Sequence, residues 1–197
     1  MDKSNHSNVL IIGGGCAGIA VASRINSLKP DLTISIIEPS EKSLYQAAWT
    51  LVGAGAYNVN DTIKAMSEVM PSYVNWIKAH AEEFMPDSNS VKTNNGSYTY
   101  DYLIVCPGLK LNFDGVVGLK ENLGKNNICT NYSAEMATYT WECLKNLDGG
   151  TLLFTEPPMP IKCAGAPQKI AYLAADHLKK KGKLSESHLE FLCAKPD

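Results

Sequence analysis

Apolar residues fall in short dense runs broken by turn residues, and two kinds of run alternate along the chain. Val9 to Ile12 is apolar throughout, as a short buried strand would be. Ile19, Ala22, Ile25 and Leu28 then recur at helical spacing, and Lys29-Pro30 ends that pattern. A second strand is predicted from Leu32 to Ile37. Residues 40–60 show no clean period and contain Gly53-Ala54-Gly55, which predicts a loop or broken helix near a cofactor. Asp61 is a candidate cap for a helix over 62–70, stopped by Pro71. Residues 73–79 read as a strand. Two further strands, 82–85 and 90–93, lead to Asn95-Gly96, a strong hairpin turn. Tyr98, Tyr100 and Tyr102 alternate after it. Tyr102 to Cys106 reads as a separate, fully buried strand ending at Pro107-Gly108. Later come a helix over 134–147 with Ser133 as its expected cap, a strand over 151–154, a helix over 167–181 and a last strand over 188–193. Lys179, Lys180 and Lys181 complement the dipole at that helix's end.

The first strand, turn and helix carry the chemistry. Gly13, Gly15 and Gly18 form Gly-x-Gly-x-x-Gly between strand and helix, the context that makes the pattern a dinucleotide fingerprint. The first glycine permits the tight turn, the second lets backbone approach a pyrophosphate, and the third lets helix pack on strand. The pyrophosphate would sit on the free N–H groups of the helix N-terminus. Glu38 ends the second strand, 20 residues past Gly18, where an acid can accept from a ribose 2′-hydroxyl and repel a 2′-phosphate. A three-stranded meander that interrupts the βαβ unit and returns to the parallel sheet is a feature of FAD domains of the disulfide-reductase type. The expected fold class is therefore α/β: a Rossmann-like FAD-binding domain with a three-stranded β-meander insertion, then the start of a second, truncated Rossmann-like domain. The expected division is 1–110 for FAD binding, 111–150 as a connector with a helix, and 151–197 for the second domain.

Composition narrows the partners. With 197 residues, 45% of them hydrophobic, the chain can build a core, and a net charge of -2 gives no electrostatic case for nucleic acid. No apolar run reaches membrane-spanning length. The polar stretch Met1 to Asn8 resembles neither a signal nor a transit peptide, so a cytoplasmic start is expected. Six scattered cysteines and four distant histidines (His6, His80, His177, His188) offer no metal site.

The second strand–turn–helix departs from the first. Its turn, Glu156 to Pro167, has prolines and a cysteine where a nucleotide domain has phosphate-cradling glycines. Proline offers no N–H to a phosphate, so no NAD(P)H is expected there. Cys163 instead stands at the mouth of a helix N-terminus beside Lys162, and both features favour a thiolate. From the chemistry alone, a redox role and an inert core thiol stay open for Cys163.

Residues 9–193 resemble the N-terminal portion of sulfide:quinone oxidoreductases. The resemblance rests on VLIIGGGCAGIAVASRI, EPSEKSLYQAAWTLVGAGAY, YDYLIVCPGLKL and above all MPIKCAGAPQKIAYL. It implies an FAD enzyme that oxidises sulfide to polysulfur species and passes two electrons to quinone. It also implies that Cys163 faces the flavin and takes part in the redox disulfide, and that Cys129 matches a cysteine some members place beside the flavin. The expected cofactor contacts are Gly13, Gly14, Gly15, Ala17, Gly18, Glu38, Pro39, Gln46, Ala79, Pro107 and Gly108. Ala47-Ala48 departs from the proline that many relatives carry there. A further redox cysteine, a second FAD segment, a quinone pocket and a membrane-binding C-terminal region are expected beyond Asp197. They imply a peripheral membrane protein and homo-oligomer. Two other readings stay open: a related flavoprotein (a flavocytochrome-type sulfide dehydrogenase or a quinone-reducing NADH dehydrogenase), and a fragment that catalyses nothing.

Overall fold

The computed structural model describes residues 5–194; parts of the polar leader and of the chain's last residues lie outside them. The chain runs β1 (His6–Ile12), α1 (Cys16–Leu28), β2 (Ile34–Ile37), β3 (Lys42–Leu44), α2 (Trp49–Gly53), β4 (Ile63–Ala65), α3 (Met66–Val69), β5 (Val74–Ile77), β6 (Ala81–Met85), β7 (Ser90–Thr93) and β8 (Gly96–Val105). It continues through α4 (Leu119–Asn122), α5 (Ala134–Asn146), β9 (Gly150–Glu156), α6 (Ala166–Lys180) and β10 (Ser187–Cys193). Two compact units result, residues 1–44 with 64–110, and residues 45–63 with 111–197. Among the described residues no helix is long and apolar enough to cross a membrane.

The first unit is a six-stranded sheet in the order β5-β2-β1-β8-β7-β6. Strands β5, β2, β1 and β8 run parallel. Strand β1 is apolar on both faces because both are covered. Val9 and Ile11 pack with Ala22, Ile34, Ile36 and Val74 on the α1 side. Leu10 and Ile12 pack with Ile37, Ile77, Val91 and Tyr100 on the other.

Two expectations are corrected here. The meander's third strand and the buried strand after it are one element. β8 pairs antiparallel with β7 through Thr93↔Gly96 to Ser90↔Thr99, then parallel with β1 through His6↔Thr99 to Ile12↔Val105. Its later half is also not fully buried: Leu103 and Ile104 pack inward, but Tyr102 is 67% exposed and Val105 51%. Helix α1 packs against β1 and β2.

The helix expected over 62–70 is the second correction. Asn58, not Asp61, caps a short 3-10 turn by accepting from Asn60 N, and Ile63 is already extended. Thr62 is buried, with its hydroxyl donating to Val59 O at 2.6 Å and accepting from Trp49 Nε1 at 3.2 Å. Those bonds, one local and one from Trp49, and two consecutive β-branched residues, outweigh a helical cap. Only Met66–Val69 makes a helical turn.

In the second unit, β9 and β10 pair in parallel around α6, a βαβ unit. Helix α2 packs on α5 and α6, and Trp49, Val52 and Ala137 form its apolar centre. Residues 40–60 do contain a broken helix: a 3-10 turn, Gln46–Ala48, followed by α2.

Candidate functional site

The first candidate site lies along the carboxyl edge of the parallel strands. Gly13 follows β1, Glu38 follows β2, Ala79 lies two residues past β5, and Pro107-Gly108 follow β8. A ligand crevice is expected at that edge of an open α/β sheet. Backbone bonds lock its turns together: Gly13 N donates to Ile37 O at 2.9 Å, Glu38 N to Ile77 O at 3.0 Å, and Cys106 N to Ile12 O at 2.7 Å.

The glycines divide by what surrounds them. A Cβ on Gly13 would lie 2.1 Å from Cys106 O, and one on Gly18 would lie 1.9 Å from Gly13 O. One on Gly14 would press on the Glu38 side chain at 2.8 Å. One on Gly15 would meet no protein atom within 4 Å, and Gly108, at φ +74°, is equally open. So three glycines hold the strand, turn and helix together, while Gly15 leaves bare backbone facing open space. Gly15 is also the N-cap of α1, whose first turn has no side-chain cap and no acidic residue. Ile19 N makes the first helical bond, to Gly15 O at 3.1 Å. The N–H groups of Cys16, Ala17 and Gly18 precede it and have no intrahelical acceptor. That cradle fits a pyrophosphate.

Glu38 is held in place. Its Oε2 accepts from Gly14 N at 2.8 Å and its Oε1 from Ser40 N at 2.7 Å. Each carboxylate oxygen keeps a further lone pair for a ribose hydroxyl. Trp76 Nε1 donates to Glu38 O at 2.8 Å, an anchor with no signal in the sequence pattern. Pro39 is exposed beside it. Of the expected cofactor contacts, Gln46 alone belongs to the second unit, where it opens the 3-10 turn before α2.

The second candidate site surrounds Cys163. Its backbone is left-handed, at φ 55°, and its thiol is exposed. Cys163 O accepts from Ala166 N at 2.8 Å and from Tyr132 Oη at 3.2 Å, which fixes the loop at the start of α6. Lys169, one turn into α6, brings its Nζ to 3.8 Å from the sulfur. Burial holds the Lys162 ammonium below the usual lysine range, against the opposing pull of Cys163. Its Nζ lies 6.0 Å from the Trp49 ring centroid. The Tyr132 phenol is pushed up to about 12, by burial first and then by the charges of Cys163 and Glu156. Glu156 is buried at the end of β9, and Cys193 Sγ donates to its Oε2 at 3.7 Å. Tyr132, Lys169 and Glu156 escaped the sequence reading. Only Lys169 had a local signal, six residues past Cys163 in the same motif.

Cys129 lies elsewhere in the second unit, half-buried beside α5. Burial pushes its thiol above the usual range, with a hydrogen bond to Thr140 opposing and the Cys143 thiol adding to the rise.

Comparison with known proteins shows the family. The chain is 43% identical to the mitochondrial sulfide:quinone oxidoreductase of Dictyostelium discoideum and 40% identical to that of Mus musculus, in each case over 95% of its own length and 42% of theirs. The crystal structure of the sulfide:quinone oxidoreductase from Aquifex aeolicus superposes with a TM-score of 0.76 at 29% identity, covering 98% of this chain and 44% of that one. The chain thus spans less than half the length of these relatives. Residues 7–138 match the family described as pyridine nucleotide-disulphide oxidoreductase. With the Gly15 cradle and the tethered Glu38 at its strand ends, the chain belongs to that family of FAD-dependent flavoproteins.

Proposed function

We propose that the chain supplies the FAD-binding and cysteine-bearing parts of an enzyme that oxidises sulfide to polysulfur species and delivers the electrons to a quinone. The observation that carries this reading is the Cys163 loop. Proline and cysteine replace phosphate-binding glycines there, and Lys169 Nζ stands 3.8 Å from the sulfur.

FAD, when bound, supplies two-electron acceptance and return. Gly15 and the N–H groups of Cys16, Ala17 and Gly18 hold its pyrophosphate, and Glu38 orients the adenine ribose. Gly14, Pro39, Gln46, Ala79, Pro107 and Gly108 complete the proposed contacts. At the second site Cys163 begins as one half of a disulfide. Hydrosulfide attacks one sulfur of that bond, an S–S bond to the substrate forms, and a thiolate leaves. Lys169 sets a positive charge beside the Cys163 sulfur as it becomes anionic. Tyr132 fixes the Cys163 carbonyl and so aims the side chain. Cys129 has the lesser role. In the same reading the whole enzyme rests on a membrane surface as a homo-oligomer.

The test joins this chain to the remaining half of a sulfide:quinone oxidoreductase. Cys163→Ser should keep the visible flavin spectrum and lose sulfide-dependent quinone reduction, while Cys129→Ser should cost less. NADH and NADPH should leave the flavin band intact. Bleaching by NADH but not by sulfide would replace this proposal with a quinone-reducing NADH dehydrogenase.

A further inference from the structure

Glu38 lies one residue past the end of β2, where the sheet ladder no longer holds its carbonyl. The register of β2 with β5 ends at Ile37↔Ile77. Glu38 N still donates to Ile77 O at 3.0 Å, but Ala79 N turns back to Ile77 O at 2.9 Å and is lost to Glu38 O as a partner. Pro39 follows, which keeps Glu38 extended and offers no N–H of its own. The Trp76 indole takes the carbonyl instead. Trp76 pairs with Ile36 in the ladder, yet its Nε1 reaches two residues further and donates to Glu38 O at 2.8 Å. The indole is itself held. Lys78, two residues on and so on the same side of the sheet, sets its Nζ 4.5 Å from the Trp76 ring centroid. The same Nζ donates to Glu41 Oε1 at 2.9 Å, which ties the far end of the Glu38 turn to the same side chain. Trp76 is half-buried, while Lys78 and Glu41 are exposed.

On the reading of the Gly15 cradle as an FAD site, we propose that Trp76 is a positioning residue for the adenine ribose: it fixes the Glu38 backbone, aims the carboxylate, and so sets the preference of the crevice for a ribose that carries its 2′-hydroxyl. Gly14 N and Ser40 N grip the two carboxylate oxygens at 2.8 and 2.7 Å. The Trp76 bond fixes the main chain from which that side chain hangs. A hydrogen bond weakens steeply as its angle falls, so the hydroxyl reads the aim of the carboxylate as well as its charge. Without the indole N–H the Glu38 carbonyl turns to water, and the turn carries the carboxylate with it. Lys78 and Glu41 act one step further out, by keeping the indole against the turn.

The test titrates the whole chain with adenosine diphosphate (ADP) and with 2′-deoxy-ADP by calorimetry. The two probes share adenine and pyrophosphate and differ only at the hydroxyl. The unsubstituted chain should prefer ADP by about tenfold or more, as a hydrogen bond to a charged group implies. Trp76→Phe keeps an aromatic ring and removes the N–H. It should narrow that preference by about 2- to 10-fold and leave the affinity for 2′-deoxy-ADP unchanged. In a Glu38→Ala chain the same substitution should change neither affinity, because the residue it acts through is gone. A purely structural role would lower both affinities together; that result, an unchanged preference, or a further loss in the Glu38→Ala chain overturns the proposal. An unsubstituted chain that binds neither probe overturns the reading of the site itself, and one that binds both equally overturns the role of Glu38, in each case before Trp76 is substituted. If Trp76→Phe does not fold, Lys78→Met decides at an exposed position: it should narrow the preference in the same direction, and an unchanged preference there overturns the proposal.

Discussion

Gly15 and Gly18 sit three residues apart, yet a methyl group added to each should do opposite things. Gly18→Ala forces a Cβ into Gly13 O, and overpacking of this kind costs about 1–3 kcal/mol or more. Gly15→Ala meets no protein atom, so stability should hold while flavin affinity falls. Urea unfolding and flavin titration of both variants separate the two effects; equal loss of stability would remove the case for an open cradle at Gly15. Cys129 allows a second prediction at this scale. Its folded pKa is raised, so the stability it contributes is present below the ordinary thiol range and is lost as pH rises through the folded value. In the native chain it should alkylate more slowly than exposed Cys16 near pH 8, with the gap closing as pH rises. The tight glycine turn after β1 was legible in the sequence because short-range geometry dictates it, and the place of Cys163 before α6 followed from the strand–turn–helix order. Lys169 beside the sulfur, Tyr132 on the loop carbonyl and Trp76 on Glu38 were not legible, because tertiary packing alone brings them there.

Helices and strands show where patterns mislead. Lys179, Lys180 and Lys181 read as compensation for their own helix. Lys181 Nζ instead donates to Leu147 O at 2.6 Å and to Lys145 O at 3.2 Å, which caps α5 across 34 and 36 residues of sequence. Lys181→Ala should weaken α5 by about 0.3–1 kcal/mol, seen as a lower urea midpoint at unchanged slope. Lys179→Ala should move it less. The helix expected over 62–70 fails for the same kind of reason. Asp61 suits a cap by residue type, but the hydroxyl of Thr62 is committed to Trp49 and Val59. Strand β8 looks like two strands in the sequence because its pattern changes midway from alternating to continuously apolar. That change marks a switch of neighbour, from β7 to β1, within one strand.

At the scale of the whole molecule the fold class was legible, since the order of strands, helix and hairpin leaves few right-handed arrangements. Which segments form each compact unit was not: residues 45–63 join the second unit although the first unit's chain flanks them on both sides. The chain also exposes large apolar side chains, among them Tyr102, Leu109, Val117 and Tyr172. We expect low stability and aggregation on warming, and a stabilising response to FAD. A ligand that binds only the folded state adds about 2.7 kcal/mol at 100 times its Kd. A melting temperature indifferent to FAD would argue against the cradle. The placing of β1 has a consequence for how the protein is made. Strand β1 lies between β2 and β8, and its register with β8 joins His6 to Thr99. At about 5–20 residues per second, β1 must wait several seconds or more for that neighbour to be synthesised. Until then one edge of a buried central strand stands bare, and a newborn chain depends on whatever shields it in the meantime.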